Sequence, residues 1–341
     1  MFPLIFSRSV MDMKKVMIRQ TGGPEVLKIE EGPEPSVGAD EVRVEVKAAG
    51  LNWSEVMIRS GAWPVEIQNA LTPGSEGSGV VEKIGSGVTE IQPGDRVIFL
   101  DFRSYWVEEQ GSYAEKIVVP QDRLLRFPKN LDFVQAAAAP MAVLTAFDAL
   151  VNHSPLPESG TVVVTAATGA VGLAALQIAR RKGLRVLGTT RSSDKKSGIH
   201  AWGVEPVVGK DPQELVQNLS DHLEGEGVDY VFDPINGETA TRLLTLLRFN
   251  GTFVCYGAFS GEPFTVGQGF LFHQVKAHGY VVLRNLQDPR QMQAAWEEVL
   301  PLVETKEIEI PVHKTYPLKD VVRAHREMEQ HKHRGKLVLV P

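Results

Sequence analysis

The run Thr165-Ala166-Ala167-Thr168-Gly169-Ala170-Val171-Gly172 has the clearest chemical capacity in this chain. Its A-x-x-G-x-x-G spacing ends a β-branched stretch, Thr161–Ala166, and opens a helical one near 170–182. A dinucleotide needs a tight turn, bare backbone beside its pyrophosphate, and a helix packed closely on the strand. Small residues at Ala166, Gly169, Ala170 and Gly172 meet those needs, with Val171 between the last two. A helix N-terminus adds free N–H groups and the positive end of the helix dipole. A turn kept small only for packing is the bland alternative, and the strand–turn–helix context favours the phosphate site.

The next strand selects the cofactor. An NAD site usually carries an acid about 20 residues on, for the ribose hydroxyls. Here the strand Arg185–Thr190 ends in Thr190-Arg191-Ser192, with Lys195 following and no acid at the tip. Hydroxyls and cations suit a 2′-phosphate, so the expected cofactor is NADPH. A solvated helix start is the plain alternative for Arg191, Lys195 and Lys196, and Asp194 fits the acid preference of a first helical turn.

These motifs need a scaffold of two domains, and 341 residues suffice for about two. The net charge is −6 and no long basic block occurs, which argues against nucleic acid as a partner. Cys255 is the one cysteine, so an internal disulfide and any zinc site of four cysteines, or of two cysteines and two histidines, are excluded. In Phe253-Val254-Cys255-Tyr256 it reads as a buried, inert thiol, and a reducing cytoplasmic compartment fits. Residues 161–179 carry no charge, yet Thr165, Thr168, Gly169, Gly172 and Gln177 favour strand, turn and helix over a membrane span. The opening MFPLIFSRSV has its arginine after the apolar run, which does not suit a signal peptide, and Met11 or Met13 is an alternative start.

The first 135 or so residues read as β-rich, with strands at Glu41–Ala48, Gly79–Ile84, Arg96–Leu100 and Tyr113–Val119 between Gly/Pro turns. Such spacing predicts a barrel-like unit. From Ala136 a helix runs to Val151, and strands then alternate with helices. The expected strands are Thr161–Ala166, Arg185–Thr190, Pro206–Val208, Asp229–Phe232, Thr252–Tyr256 and Gly279–Leu283. That grammar predicts an α/β fold, a doubly wound parallel sheet beside the β-barrel domain. After Ile308 a strand, a helix Lys319–Gln330 and a strand Lys336–Val340 rejoin the first domain. The division is therefore 1–136 with 307–341, and 137–306.

Several further motifs carry a resemblance over Lys14 to Pro341: Ala49-Gly50-Leu51-Asn52-Trp53-Ser54, Pro73-Gly74-Ser75-Glu76-Gly77-Ser78-Gly79, Pro93-Gly94-Asp95-Arg96-Val97, Gly111-Ser112-Tyr113-Ala114-Glu115, and Ala324–Glu329 leading to Gly335-Lys336-Leu337. The chain resembles the medium-chain dehydrogenase/reductases, in their zinc-free quinone oxidoreductase branch. The resemblance implies a GroES-like catalytic domain and a Rossmann domain, with the active site in the cleft between. It also implies that Asn52, Ser75 and about Met141 stand where zinc enzymes of the superfamily hold their metal, so no metal is expected. Asn52 is then the leading catalytic residue, its amide donating to an acceptor oxygen or an ordered water. Thr145 matches the family threonine beside the nicotinamide. Asn236 and Tyr256-Gly257-Ala258 are implied as cofactor contacts at strand ends, where doubly wound sheets bind ligands. Turn chemistry is the plain alternative for Asn52, Asn236 and the 256–258 segment, and a backbone-bonded helix interior for Thr145.

Lack of zinc restricts the acceptor. Hydride addition to a simple aldehyde leaves an alkoxide, whereas a quinone leaves a phenolate-like anion less basic by about 6 pKa units. At 1.36 kcal/mol per unit, roughly 8 kcal/mol of charge stabilisation is not required of a Lewis acid. Quinones and other conjugated carbonyls are the expected substrates, followed by activated C=C bonds, and a third reading is an NADPH-binding protein with little turnover. Met57 stands where quinone reductases often carry tyrosine, and a thioether donates no proton. Tyr105 and Tyr113 are the available substitutes, Tyr113 reading as structural. The apolar Gly279–Leu283, as a last sheet strand, predicts a homodimer through edge pairing.

Overall fold

The computed structural model describes residues 12–63, 67, 70–106 and 110–341, with backbone alone for Ser104, Trp106 and Asn285. The apolar opening and Met11 lie outside the described residues. The chain forms two compact units, one comprising the chain to Phe127 with Thr315–Gln330 and Val338–Pro341, the other Pro128–Lys314 with His331–Leu337.

The first unit contains β1 (Asp12–Met17) and β2 (Lys28–Pro33), which pair with each other, then β3 (Glu41–Gly50), α1 (Trp53–Ser60), β4 (Glu76–Ile84), β5 (Arg96–Leu100), β6 (Lys116–Pro120) and β7 (Leu124–Arg126). Alternation drives β3, where Val42, Val44 and Val46 are buried and Arg43, Glu45 and Lys47 point the other way. β3 is the axis of the sheet, pairing antiparallel with β4 on one side and β6 on the other. The strand expected at Tyr113 starts at Lys116 instead. Tyr113 is fully buried in the preceding bend, where its backbone pairs with Pro73 and Val16.

The second unit opens with α2 (Phe133–Ala138) and α3 (Pro140–Phe147), followed by a π-helical segment, Asp148–His153. One continuous helix was expected over Ala136–Val151. Pro140 interrupts it, because proline has no N–H for the preceding turn and fits best at a first helical position. Then come β8 (Thr161–Val164), α4 (Ala170–Arg181), β9 (Arg185–Thr190), α5 (Lys196–His200), β10 (Glu205–Val208), α6 (Pro212–Leu223), β11 (Val228–Asp233), α7 (Gly237–Leu243), β12 (Leu247–Cys255), α8 (Gln268–Phe272), β13 (Lys276–Gly279), α9 (Val282–Asn285) and α10 (Pro289–Glu304). The six strands form one parallel sheet in the order β10-β9-β8-β11-β12-β13. Val163, Leu187, Val231 and Phe253 of its central strands are all fully buried, as continuous apolar runs in a doubly covered sheet require. The chain finishes with β14 (Val312–Pro317), α11 (Val321–Glu329) and β15 (Lys336–Val340), whose Val338 and Leu339 lie opposite Gly50 and Ala49 of β3. Among the described residues no helix is long and apolar enough to cross a membrane.

The edge strand corrects the sequence expectation. Lys276–Gly279 forms it, not Gly279–Leu283. Val282 and Leu283 are both buried, but they lie in the short helix α9 that follows the strand. Tyr280 anchors that turn by donating to Asp148 Oδ2 at 2.8 Å. The edge therefore carries a lysine, one of the devices that blunt strand pairing.

Candidate active site

The turn after β8 is built by close approach. Ala166 takes φ +46°, a left-handed conformation uncommon outside glycine, and its carbonyl accepts from Gly169 N at 3.0 Å. Ala167 N donates to Thr189 O at 3.1 Å and ties the turn to β9. A Cβ on Gly172 would lie 2.6 Å from Ala166 O and 2.8 Å from Ala167 Cα, so only glycine lets α4 start this near the strand. Gly169 is the N-cap of α4 and has no side chain to cap it. The first-turn amides at Ala170, Val171 and Gly172 are therefore uncapped by their own segment.

A distant segment completes the turn. Gly335 N donates to Thr168 O at 2.8 Å, and Gly335 has φ +68° with Pro311 O only 2.0 Å from where a Cβ would stand. Arg334 precedes it. The sequence reading left Arg334 out of the site; its only signal was position beside the Gly335-Lys336-Leu337 motif.

At the tip of β9, Thr190 Oγ1 accepts from Ser192 N at 3.3 Å. Lys195 Nζ donates to the carbonyls of His331 at 2.6 Å and His333 at 2.9 Å. Burial, then the charges of Arg191 and Arg334, push the Lys195 ammonium below its usual range. Burial and the charges of Arg191 and Lys195 do the same to His331. Among the described residues no carboxylate pairs with Arg191, Lys195 or Arg334. Three cations that repel one another without a counter-charge make a site for an anion.

The ends of β11 and β12 lie beside the turn. Thr165 donates its hydroxyl to Asp233 Oδ1, and Asn236 N donates to Asp233 Oδ2 at 2.7 Å. Burial pushes the Asp233 carboxyl up to about 6, against the pull of those hydrogen bonds. Asn236 sits at φ +69°, and its Oδ1 is buried without a partner. A buried acceptor left unpaired is costly and fits a donor brought by a ligand. Tyr256 stacks on Phe232 with centroids 4.0 Å apart, Gly257 is half-buried and Ala258 exposed. Cys255 is half-buried rather than fully buried, because it ends the strand, and its thiol donates to Gly257 O at 3.2 Å. Thr145 is buried in α3, and among the described residues its hydroxyl has no hydrogen-bond partner.

In the first unit Asn52 precedes α1, and its N–H donates to Glu55 Oε2 at 2.7 Å. Asn52 is the N-cap of α1, a role that the sequence reading did not weigh. Its side-chain amide does something further, donating to Glu76 Oε1 at 2.9 Å. Ser75 donates to Glu55 Oε1 at 2.9 Å, and Tyr105 touches the same group. Glu55, Ser75, Glu76 and Tyr105 are buried. The side chain of Trp106, which the sequence considered with Tyr105, lies outside the described residues. This donor set does not fit zinc, which takes sulfur, imidazole and carboxylate ligands. An amide and a hydroxyl already committed to neighbouring carboxyls are neither. Among the described residues no three His, Cys, Asp or Glu side chains cluster as metal ligands.

Residues 38–129 match the alcohol dehydrogenase GroES-like domain family, and residues 202–339 match the zinc-binding dehydrogenase family. A quinone oxidoreductase of Pseudomonas aeruginosa is 31% identical over 333 residues, covering 96% of this chain and 99% of that protein. Quinone oxidoreductase 1 of Escherichia coli is 30% identical over 334 residues, covering 96% and 99%. The crystal structure of Escherichia coli quinone oxidoreductase complexed with NADPH superposes with a TM-score of 0.86 at 29% identity, covering 96% of this chain and 100% of that one.

Two outcomes test the cofactor half. Arg334→Ala weakens NADPH binding by at least about tenfold in a fluorescence titration, the loss of one charge-assisted contact. NADH binding stays within twofold. The second concerns Asp233, whose folded value lies above an unfolded value of about 3.9. Its stabilising contribution is whole below about pH 4 and is lost as pH rises through about 6. Asp233→Asn removes that component, so urea midpoints of variant and wild type shift relative to each other across this window and run parallel above it.

Proposed function

The chain belongs to the medium-chain dehydrogenase/reductase superfamily, in its zinc-free quinone oxidoreductase branch, and from that membership we propose that it transfers a hydride from NADPH to a quinone or similar conjugated carbonyl without metal. One observation carries the acceptor class: Asn52 and Ser75 are hydrogen-bonded to Glu76 and Glu55, so hydrogen bonds alone stabilise the developing oxyanion. Only an acceptor whose reduced form is a weak base suits such a site.

When bound, the cofactor supplies the hydride, and the protein supplies binding and orientation. Ala166, Gly169, Ala170, Val171 and Gly172 receive the pyrophosphate at the start of α4. Thr190, Arg191, Ser192 and Lys195, joined by Arg334, receive the 2′-phosphate. Asn236 and Tyr256-Gly257-Ala258 receive the ribose–nicotinamide half, with Thr145 at its reactive end. Asn52 donates to the acceptor oxygen. A second reading, reduction of activated C=C bonds, is favoured by the hydroxyl cluster around Tyr105, since an enolate needs a positioned proton.

We also propose a homodimer in a reducing, cytoplasmic compartment. The edge strand β13 is unpaired on its outer side, and Leu271 and Phe272 of α8 are 72% and 70% exposed. Exposed apolar side chains of that size mark contact surfaces. Light scattering at micromolar concentration gives twice the chain mass, and Leu271→Glu with Phe272→Glu returns it to the monomer.

The function is tested by NADPH consumption against a panel of quinones and a panel of enals and enones. Turnover with at least one quinone, NADPH preferred over NADH by at least about tenfold, and full activity after dialysis against a chelator are the expected results. Activity lost on dialysis and restored by zinc refutes the metal-free mechanism.

A further inference from the structure

Four side chains in the first unit form an unbroken line of hydrogen bonds. Ser54 Oγ lies 2.6 Å from the Tyr105 hydroxyl, which lies 2.7 Å from Ser75 Oγ. Ser75 Oγ lies 2.9 Å from Glu55 Oε1, and Tyr105 also reaches Glu55 Oε1 at 2.9 Å. Glu55 is fully buried, Ser75 is 1% exposed and Tyr105 2% exposed. Ser54 alone is half-exposed. The line therefore has one closed end, a carboxyl, and one open end, a serine hydroxyl two residues from Asn52.

Each hydroxyl has one proton to give and lone pairs to accept with. With Glu55 ionised, Ser54 donates to Tyr105, Tyr105 to Ser75 or Glu55, and Ser75 to Glu55. With Glu55 protonated, every bond reverses and the Ser54 proton faces outward. Nothing but hydroxyl rotation and proton hops separates the two states. The ring of Tyr105 is held by Trp63 at 5.4 Å and Phe102 at 5.8 Å between centroids, which fixes its hydroxyl within the line. Burial and the nearby Glu55 hold that hydroxyl well above its usual range, so it passes protons on without staying ionised.

We propose that Ser54 is the proton donor to the reduced acceptor, and that Tyr105 and Ser75 relay the proton to it from Glu55. The proposal rests on the reading of Asn52 as the group that faces the acceptor oxygen. After the acceptor has taken a hydride, with its two electrons, it bears one negative charge. The Ser54 O–H bond breaks as the acceptor gains its proton. Ser54 is refilled from Tyr105, Tyr105 from Ser75, and Ser75 from Glu55, or Tyr105 directly from Glu55. The acceptor has gained one hydride and one proton, and Glu55 is left as a carboxylate. Water returns the proton through Ser54 before the next turnover. The relay also accounts for Met57: the proton that a tyrosine there would give comes instead from Ser54, one turn earlier in α1. Ser54 is catalytic in this scheme, and Tyr105, Ser75 and Glu55 are positioning residues.

The test uses the full chain, NADPH and an enone, because an enolate is basic enough for its protonation to limit the rate. Ser54→Ala and Tyr105→Phe are compared with wild type. Both variants lose at least tenfold in kcat, while NADPH affinity by fluorescence stays within twofold. In mixtures of light and heavy water the wild-type rate follows a bowed curve, because several protons move together, and both variants give straight lines. A tyrosine that only supported the loop would lower the rate without straightening the curve. Ser54 is half-exposed, so Ser54→Ala keeps the test decisive should Tyr105→Phe not fold. Wild-type turnover with unchanged rate and curvature in Ser54→Ala overturns the relay alone. Failure of wild type to consume NADPH with any enone or quinone overturns the functional reading and the relay with it.

Discussion

The approach of Gly172 to the carbonyl of Ala166 sets the second unit's geometry. A Cβ at Gly172 would stand only 2.6 Å from the Ala166 carbonyl oxygen, so the glycine lets the start of α4 lie against the end of β8. The turn that allows this puts Ala166 into a left-handed conformation, which costs something for a residue with a Cβ. That cost is offset by hydrogen bonds from Ala167 to β9 and from Gly335 to Thr168. Three segments remote in sequence are thereby gathered around one helix end. The cations at the tip of β9 and at Arg334 follow from that gathering.

The first unit meets a different constraint, namely how to bury two carboxyls side by side. Glu55 and Glu76 are fully buried, and a buried carboxyl must be hydrogen-bonded to be tolerated. Asn52, Ser75 and Tyr105 provide donors, and α1 is anchored by the same contacts. The bonds that hold the start of α1 and those that satisfy the two buried carboxyls are one set here.

Much of this was legible in the residue order. Small residues at 166, 169, 170 and 172, and the acid-free tip at 190–192, are local signals, because the turn and the strand end are local structures. The parallel sheet followed from alternation and its runs of buried valine. The nearness of Arg334 to Lys195 was not legible, since the two are well over a hundred positions apart and only the neighbouring Gly335-Lys336-Leu337 motif marks the segment. Tyr105 was noticed, but its bonds to Ser54, Ser75 and Glu55 join three segments. The edge strand was misplaced by three residues at its start and four at its end because apolarity attracted the assignment, whereas Tyr280, Val282 and Leu283 are apolar in order to pack inward. The break at Pro140 was visible in sequence and was outweighed by the alanines around it.

The cluster of Arg191, Lys195 and Arg334 has a consequence for timing. On the proposed reading, in which these cations hold a 2′-phosphate, that group is carried equally by the oxidised and the reduced cofactor, so they cannot tell spent cofactor from fresh. They respond to the size of the pool, not to its redox poise. Whatever holds the cofactor by that phosphate retards its departure as much as it favours its arrival, and eviction must be signalled from the opposite end, where a nicotinamide changes charge. Between visits the three like charges strain against one another, and a bound anion relieves that strain. On that reading, scarcity of the pool removes the stabilisation that a bound ligand gives the folded state.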